Sequence, residues 1–165
     1  SKAFTLVEIL IVVVILGILA AIVIPQFTNA SQEAQRGNVA TQLQTLRNQI
    51  ELFRVRNNGN NPVLAGAGAA AFADMTATTN SFGRVQEPYI RAASTNPRNN
   101  STTVAASGAL GDAADVILAA AATADPATVT DGWLYNRFTG QFAAVGYSEW
   151  SRTWFGEPGH LTAAP

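Results

Sequence analysis

The sequence predicts an α+β protein in which a long kinked N-terminal α-helix packs on a small C-terminal antiparallel β-sheet. Three observations lead there. Ile9 to Ile24 is an unbroken apolar run, a second apolar set at helical spacing follows it, and an aromatic-rich hairpin pattern lies near the end. The expected organisation is an apolar half-helix over 1–25, an amphipathic half-helix over 26–57 and a small head over 58–165.

Ala3 to Val7 extends the apolar run with only Thr5 polar, and Glu8 is the one charge inside it. As a helix, the stretch from Ala3 to Ile24 is about 33 Å long, close to the thickness of a bilayer's hydrocarbon core. Beyond Pro25 the character changes. Val39, Leu43, Leu46, Ile50 and Phe53 recur at helical intervals, with Gln, Asn, Arg and Glu common between them. That pattern is a heptad-like stripe, and packing against a small sheet is favoured over lining a cofactor. Pro25 lacks a backbone donor and is expected to kink or loosen the helix, with Gly17 a second weak point. Asn57-Asn58-Gly59-Asn60-Asn61-Pro62 then supplies an explicit stop.

Leu64 to Thr128 reads as mostly irregular connection, with a short helix over Asp112 to Ala122. A hairpin is expected over 132–145: Gly132 to Asn136 and Gln141 to Val145 flank Arg137-Phe138-Thr139-Gly140, a turn closed by glycine. Its strands are expected to cover the Val39–Phe53 stripe. Trp150, Trp154 and Phe155 in the tail read as caps on a small core, with contacts between subunits as the alternative.

Composition narrows the function classes. The 165 residues carry a net charge of −1, no cysteine and a single histidine, His160. Disulfides and thiolate metal sites are excluded, and no charge excess draws the chain to nucleic acid. No nucleophile–base pair can be assembled, so the chain reads as a non-enzyme without a cofactor. Gly66-Ala67-Gly68 lacks the lysine and spacing of a phosphate loop. Asp112, Asp115, Asp125 and Asp131 are weak Ca²⁺ candidates; they lack EF-hand spacing, and solvated loop carboxylates are the favoured reading. Asn99-Asn100-Ser101-Thr102 holds two overlapping Asn-x-Ser/Thr triplets.

The first 25 residues admit three readings. A cleavable secretory signal conflicts with the length of the run, its single Lys2 and its acid. An ordinary membrane anchor leaves Glu8 unexplained, because a carboxylate in lipid needs a partner, and Lys2 or a free terminal amine is what the sequence offers. The third takes Phe4-Thr5-Leu6-Val7-Glu8, the apolar residues to Gly17, and Pro25-Gln26-Phe27 in order. This run resembles the N-terminal motif of type IV pilins and of the pseudopilins of type II secretion.

The resemblance implies a pilin fold, cleavage by a prepilin peptidase just before the phenylalanine, and assembly roles for Phe4, Glu8, Gly17 and Pro25. Ala3 stands where the family usually has glycine, which leaves two positions for the cut, before Phe4 or upstream of Ser1. The implied partners are the inner membrane before assembly, copies of the chain in a helical filament, and an assembly ATPase machinery. The implied location is a bacterial surface filament or, alternatively, a periplasmic pseudopilus. The stretch Glu87-Pro88-Tyr89-Ile90-Arg91 with Asn96-Pro97 is similar to a loop of secretion-type pseudopilins. Major pilin, major pseudopilin and a lone membrane-tethered domain are the three functions carried forward, with the pilin favoured.

Overall fold

The computed structural model describes residues 4–106 and 114–163, without the side chains at 25–28 and 114–118. It resolves into two compact units, Ser1–Gln35 and Arg36–Pro165. Helix α1 spans Leu6–Arg56 and contributes to both, and its helical backbone continues through Gly17 and Pro25.

The end of α1 follows from its sequence. Asn58 adopts φ 59° and Gly59 φ 85°, and the Gly59 amide donates to Arg54 O at 2.9 Å. This is a Schellman closure, in which a left-handed residue turns the chain so that a later amide satisfies a carbonyl three positions inside the helix end. Upstream, the stripe is buried: Val39 and Phe53 are fully enclosed, and Leu43, Leu46 and Ile50 nearly so. They share one core with Trp133, Tyr135 and Phe142 of the sheet and with Leu64, Phe72 and Met75 of the connection.

The sheet has the order β1-β2-β3, with β1 at Val104–Ala106, β2 at Trp133–Asn136 and β3 at Gln141–Ala144. β2 and β3 form the hairpin in the register Trp133↔Ala144, Leu134↔Ala143, Tyr135↔Phe142. Alternation then sorts the side chains between two faces. Trp133, Tyr135, Phe142 and Ala144 enter the α1 core, whereas Leu134 and Ala143 meet Ala121 on the other side. Ala121 belongs to a further helix, α3 (Ala114–Thr123), so the sheet is covered on both faces. At the turn, Asn136 Oδ1 accepts from the Phe138 amide at 2.9 Å, and Gly140 closes it at φ 80°.

Two features differ from the sequence expectation. The sheet is mixed rather than antiparallel, because β1 pairs parallel to β2 with Val104 opposite Trp133. A parallel neighbour needs a long crossover, and the segment from Ala106 to Trp133, with α3 in it, provides one. The connection is also more ordered than its composition suggests. A 3₁₀ turn at Gly68–Phe72 runs into helix α2 (Ala73–Thr76). Buried Asp74 there accepts from the Val63 amide at 2.6 Å, the Ser81 amide at 2.7 Å and the Ser81 hydroxyl at 2.8 Å. One carboxylate thereby ties two stretches of loop that carry no periodic signal to α2.

The tail returns as a two-stranded ribbon, β4 (Tyr147–Ser148) with β5 (Thr153–Trp154). Trp154 is fully buried, its ring edge-on to Tyr147 at 5.3 Å, while Trp150 and Phe155 are half-buried. Ion pairs fix the ribbon to α1. Arg47 donates to Glu149 at 2.8 Å and to Phe142 O at 3.0 Å, and Arg36 meets Glu157 at 2.8 Å. Arg36 and Arg47 thus hold acids of the tail, and Arg54 pairs with Glu51 at 3.6 Å along the helix. The partly exposed Arg47–Glu149 pair contributes no more than about 1 kcal/mol, so the apolar core carries the stability.

Two outcomes are expected. Phe53→Ala removes a fully buried ring from the C-terminal end of the stripe and lowers the stability of the second unit by about 3–5 kcal/mol in denaturant unfolding. The second concerns alkaline pH. Burial, reinforced by the nearby Asp74 carboxylate, pushes the Tyr135 phenol well above its ordinary value of 10.0. The folded state therefore holds that proton more tightly than the unfolded chain does. Its contribution is complete below about pH 10 and is lost as pH rises further. The unfolding midpoint should fall above pH 10, and less steeply in Tyr135→Phe. That variant also loses the hydrogen bond to Pro62 O, about 1 kcal/mol at neutral pH. Tyr147, raised in the same direction by burial, keeps a residual alkaline loss in the variant.

Candidate functional site

The candidate site is the apolar half of α1 with its polar start. Thr5 sits at the N-cap, and its carbonyl accepts from the Ile9 amide at 3.4 Å. The Glu8 amide donates to Thr5 Oγ1 at 3.3 Å. In return, Glu8 Oε2 accepts from the Thr5 amide at 2.9 Å and from the Thr5 hydroxyl at 2.8 Å. This is a reciprocal capping box, in which a threonine and a glutamate three residues later satisfy amides that the first helical turn leaves without partners.

The cap corrects the sequence reading of Glu8. Lys2 and a free amine are not the only partners within reach, since Thr5 next to the acid bonds one of its oxygens. The sequence signal for the cap is Thr-x-x-Glu ahead of an apolar run, which makes the glutamate the third residue of the helix as well as a charge in an apolar segment. The negative charge is also placed where the helix macrodipole favours it. Lys2 lies outside the described residues.

Along the rest of this half, every described large apolar side chain from Phe4 to Ile24 is exposed, from 43% at Val23 to 81% at Leu6. A β-carbon added at Gly17 would have no neighbour within 4 Å. The helix is long and apolar enough to cross a membrane by length and composition, and none of that stretch is covered by the chain itself. A greasy surface of this extent far exceeds the apolar patches that soluble monomers leave open, and such surfaces mark contact with lipid or protein. Glu8 and Gly17 therefore share one uncovered helix, Phe4 lies exposed just before its cap, and position 25 lies on the same helix. The packing residues Val39 to Phe53 belong wholly to the second unit.

Of the weak Ca²⁺ candidates, the structure describes the side chains of Asp125 and Asp131. Asp112 falls outside the described residues, and Asp115 lies in α3 without a described side chain. Asp125 spends Oδ1 on the Ala127 amide at 2.8 Å, closing its own turn, and the Asp131 carbonyl accepts from Asn99. Among the described residues no three histidines, cysteines, aspartates or glutamates group in a way that could hold a metal. His160 is tied to the Ala122 carbonyl at 2.8 Å and sits edge-on to Phe155.

Comparison with known proteins points to the same helix. A family model described as the prokaryotic N-terminal methylation motif matches residues 1–24. Type II secretion system core protein G of Pectobacterium carotovorum subsp. carotovorum is 33% identical over 58 residues, 35% of this chain and 37% of that protein. Its counterpart in Vibrio cholerae is 36% identical over 58 residues, 35% of this chain and 40% of that protein. The type IV narrow pilus major component of Thermus thermophilus is 37% identical over 59 residues, 36% of this chain and 51% of that protein. The chain thus spans about two fifths to one half of the length of these relatives. No solved structure matches. Residues 1–24 match the prokaryotic N-terminal methylation motif, and over about a third of its length the chain is similar to type II secretion core proteins and to a type IV major pilin.

Proposed function

We propose that the chain is a structural subunit that polymerises through its N-terminal helix into a type IV pilus-like surface filament. The observation that carries this reading is the bare apolar segment from Phe4 to Ile24, whose helix is capped by a carboxylate with one oxygen that takes no hydrogen bond among the described residues. Before assembly that helix lies in the inner membrane with the second unit outside the cytoplasm. A prepilin peptidase processes the chain, and an assembly ATPase machinery lifts subunits from the bilayer. Each helix then exchanges lipid for the helices of neighbouring copies.

That exchange hides apolar surface from water on both sides, so the hydrophobic effect discriminates little between membrane and filament. Direction and register need a polar contact. Glu8 supplies it: Oε2 is held by Thr5, which fixes the rotamer, and Oε1 is left to accept a donor from a neighbouring chain. A filament further requires a heterologous interface that does not close on itself.

The alternative reading is the major pseudopilin of a type II secretion system, forming a short periplasmic fibre. Two observations favour it. Most of the relatives named above are secretion core proteins, and the stretch similar in sequence to a pseudopilin loop packs its Tyr89 and Ile90 against the core. Against it, the tail beyond the hairpin folds as an additional ribbon with a buried Trp154. Negative-stain microscopy of cells and of the sheared fraction separates the readings. Long extracellular fibres containing this chain support the pilus, envelope-bound fibres seen only on overproduction support the pseudopilus, and absence of polymer in both defeats assembly altogether.

Two substitutions test the role of the cap. Glu8→Val is expected to leave membrane insertion intact, measured by fractionation, while fibre yield falls at least tenfold; a normal yield would remove Glu8 from assembly. Thr5→Val, which deletes the hydroxyl that orients the acid, should give an intermediate yield and faster hydrogen exchange in the first turn of α1. The double variant should be no worse than Glu8→Val, because both changes break one reciprocal pair.

A further inference from the structure

Two overlapping Asn-x-Ser/Thr triplets lie in the loop that leads into β1: Asn99-Asn100-Ser101 and Asn100-Ser101-Thr102. The fold treats them differently. In the first triplet both polar ends of the asparagine are used. Asn99 Nδ2 donates to Asp131 O at 2.9 Å and Oδ1 accepts from the Ser101 amide at 3.1 Å. The Ser101 hydroxyl is occupied as well, donating to Thr130 O and accepting from the Thr103 amide at 3.2 Å.

The second triplet is open. Asn100 is exposed at the tip of a turn closed by its own amide, which donates to Asn96 O at 2.9 Å. Its φ of 54° is left-handed, a conformation that asparagine reaches more readily than most residues. Among the described residues, neither the Asn100 carboxamide nor the Thr102 hydroxyl takes a hydrogen bond. The loop is held instead by Asn96, whose buried Nδ2 donates to Gly132 O at 2.7 Å, and by Asn99 and Ser101. A bulky group on Asn100 therefore displaces no contact that the fold uses.

We propose that Asn100 is the acceptor of an N-linked saccharide, with Thr102 as the hydroxyl that the transferring enzyme reads. Asparagine in such a triplet, on an exposed loop, is the acceptor that this chemistry takes. The donor class is a saccharide carried on a polyprenyl diphosphate. Asn100 Nδ2 attacks the anomeric carbon and the new C–N bond forms as the C–O bond to the diphosphate breaks. Polyprenyl diphosphate leaves, and the amide gives one proton to a base of the enzyme. The site depends on the extracytoplasmic placement of the second unit proposed above, where such transfer takes place.

The test uses the full-length protein from the cells that naturally make it, by intact mass and by fragmentation of the peptide containing Asn100. A saccharide mass on Asn100 is expected in the wild type, in Asn99→Gln and in Thr102→Ser, and its loss in Asn100→Gln and Thr102→Ala. Thr102→Ala leaves the asparagine and its turn in place, so loss there reads the triplet and not the loop's folding. An unmodified Asn100 in the wild type overturns the proposal. A saccharide that persists in Asn100→Gln also overturns it, because it then sits on Asn99 or on a hydroxyl. Fibres that carry an unmodified Asn100 would refute the glycan while leaving filament assembly standing.

Discussion

An apolar helix with nothing of its own chain to lie against sets the terms for the rest of this protein. From Phe4 to Ile24 the side chains are those of a hydrophobic core, yet every described large one is exposed. Water is not a stable surrounding for that surface, so it must be covered by lipid or by other chains. The same helix becomes self-sufficient later: from Val39 to Phe53 its apolar residues are buried under the sheet and the connection. One continuous secondary-structure element thus carries two kinds of hydrophobic surface, one satisfied within the fold and one reserved for outside it.

The capping box gives the reserved surface a polar address. A glutamate in an apolar segment is costly unless its oxygens find donors, and Thr5 supplies donors to one of them. Lipid therefore does not leave the acid wholly unsatisfied. The carboxylate is partly satisfied within the chain by Thr5, and the contact proposed for a neighbouring copy is a donor to the remaining oxygen. In the proposed filament, assembly at this point would complete a half-made network, which is more directional than relief of a bare charge.

The second unit is built so that little of its stability depends on the first. Its core closes over the α1 stripe on one face of the sheet, and α3 covers the other. The tail ribbon is pinned by Arg47 to Glu149 and by Arg36 to Glu157. Asp74 gathers the loop amides of Val63 and Ser81, which are otherwise unprotected in a connection rich in small residues. These polar contacts order the segments that have too few apolar side chains to order themselves.

The sequence by itself determined the elements whose signals are local. Hydrophobic periodicity placed the Val39–Phe53 stripe, Asn58-Gly59 placed the helix stop, and alternation around Gly140 placed the hairpin, because each depends on neighbours along the chain. The motif from Phe4 to Pro25 was equally readable, and so was the Thr5–Glu8 pair, had the spacing been taken as a cap. Tertiary structure alone decided the rest. The parallel β1, three residues long, has no periodicity to detect, and its partner lies across the crossover that contains α3. Glu149 and Glu157 find Arg47 and Arg36 more than a hundred residues away. Of two identical-looking triplets at Asn99 and Asn100, only the packed loop shows which carboxamide is already spent. Local patterns fix what a segment becomes; which polar group remains free is settled only when distant segments compete for it.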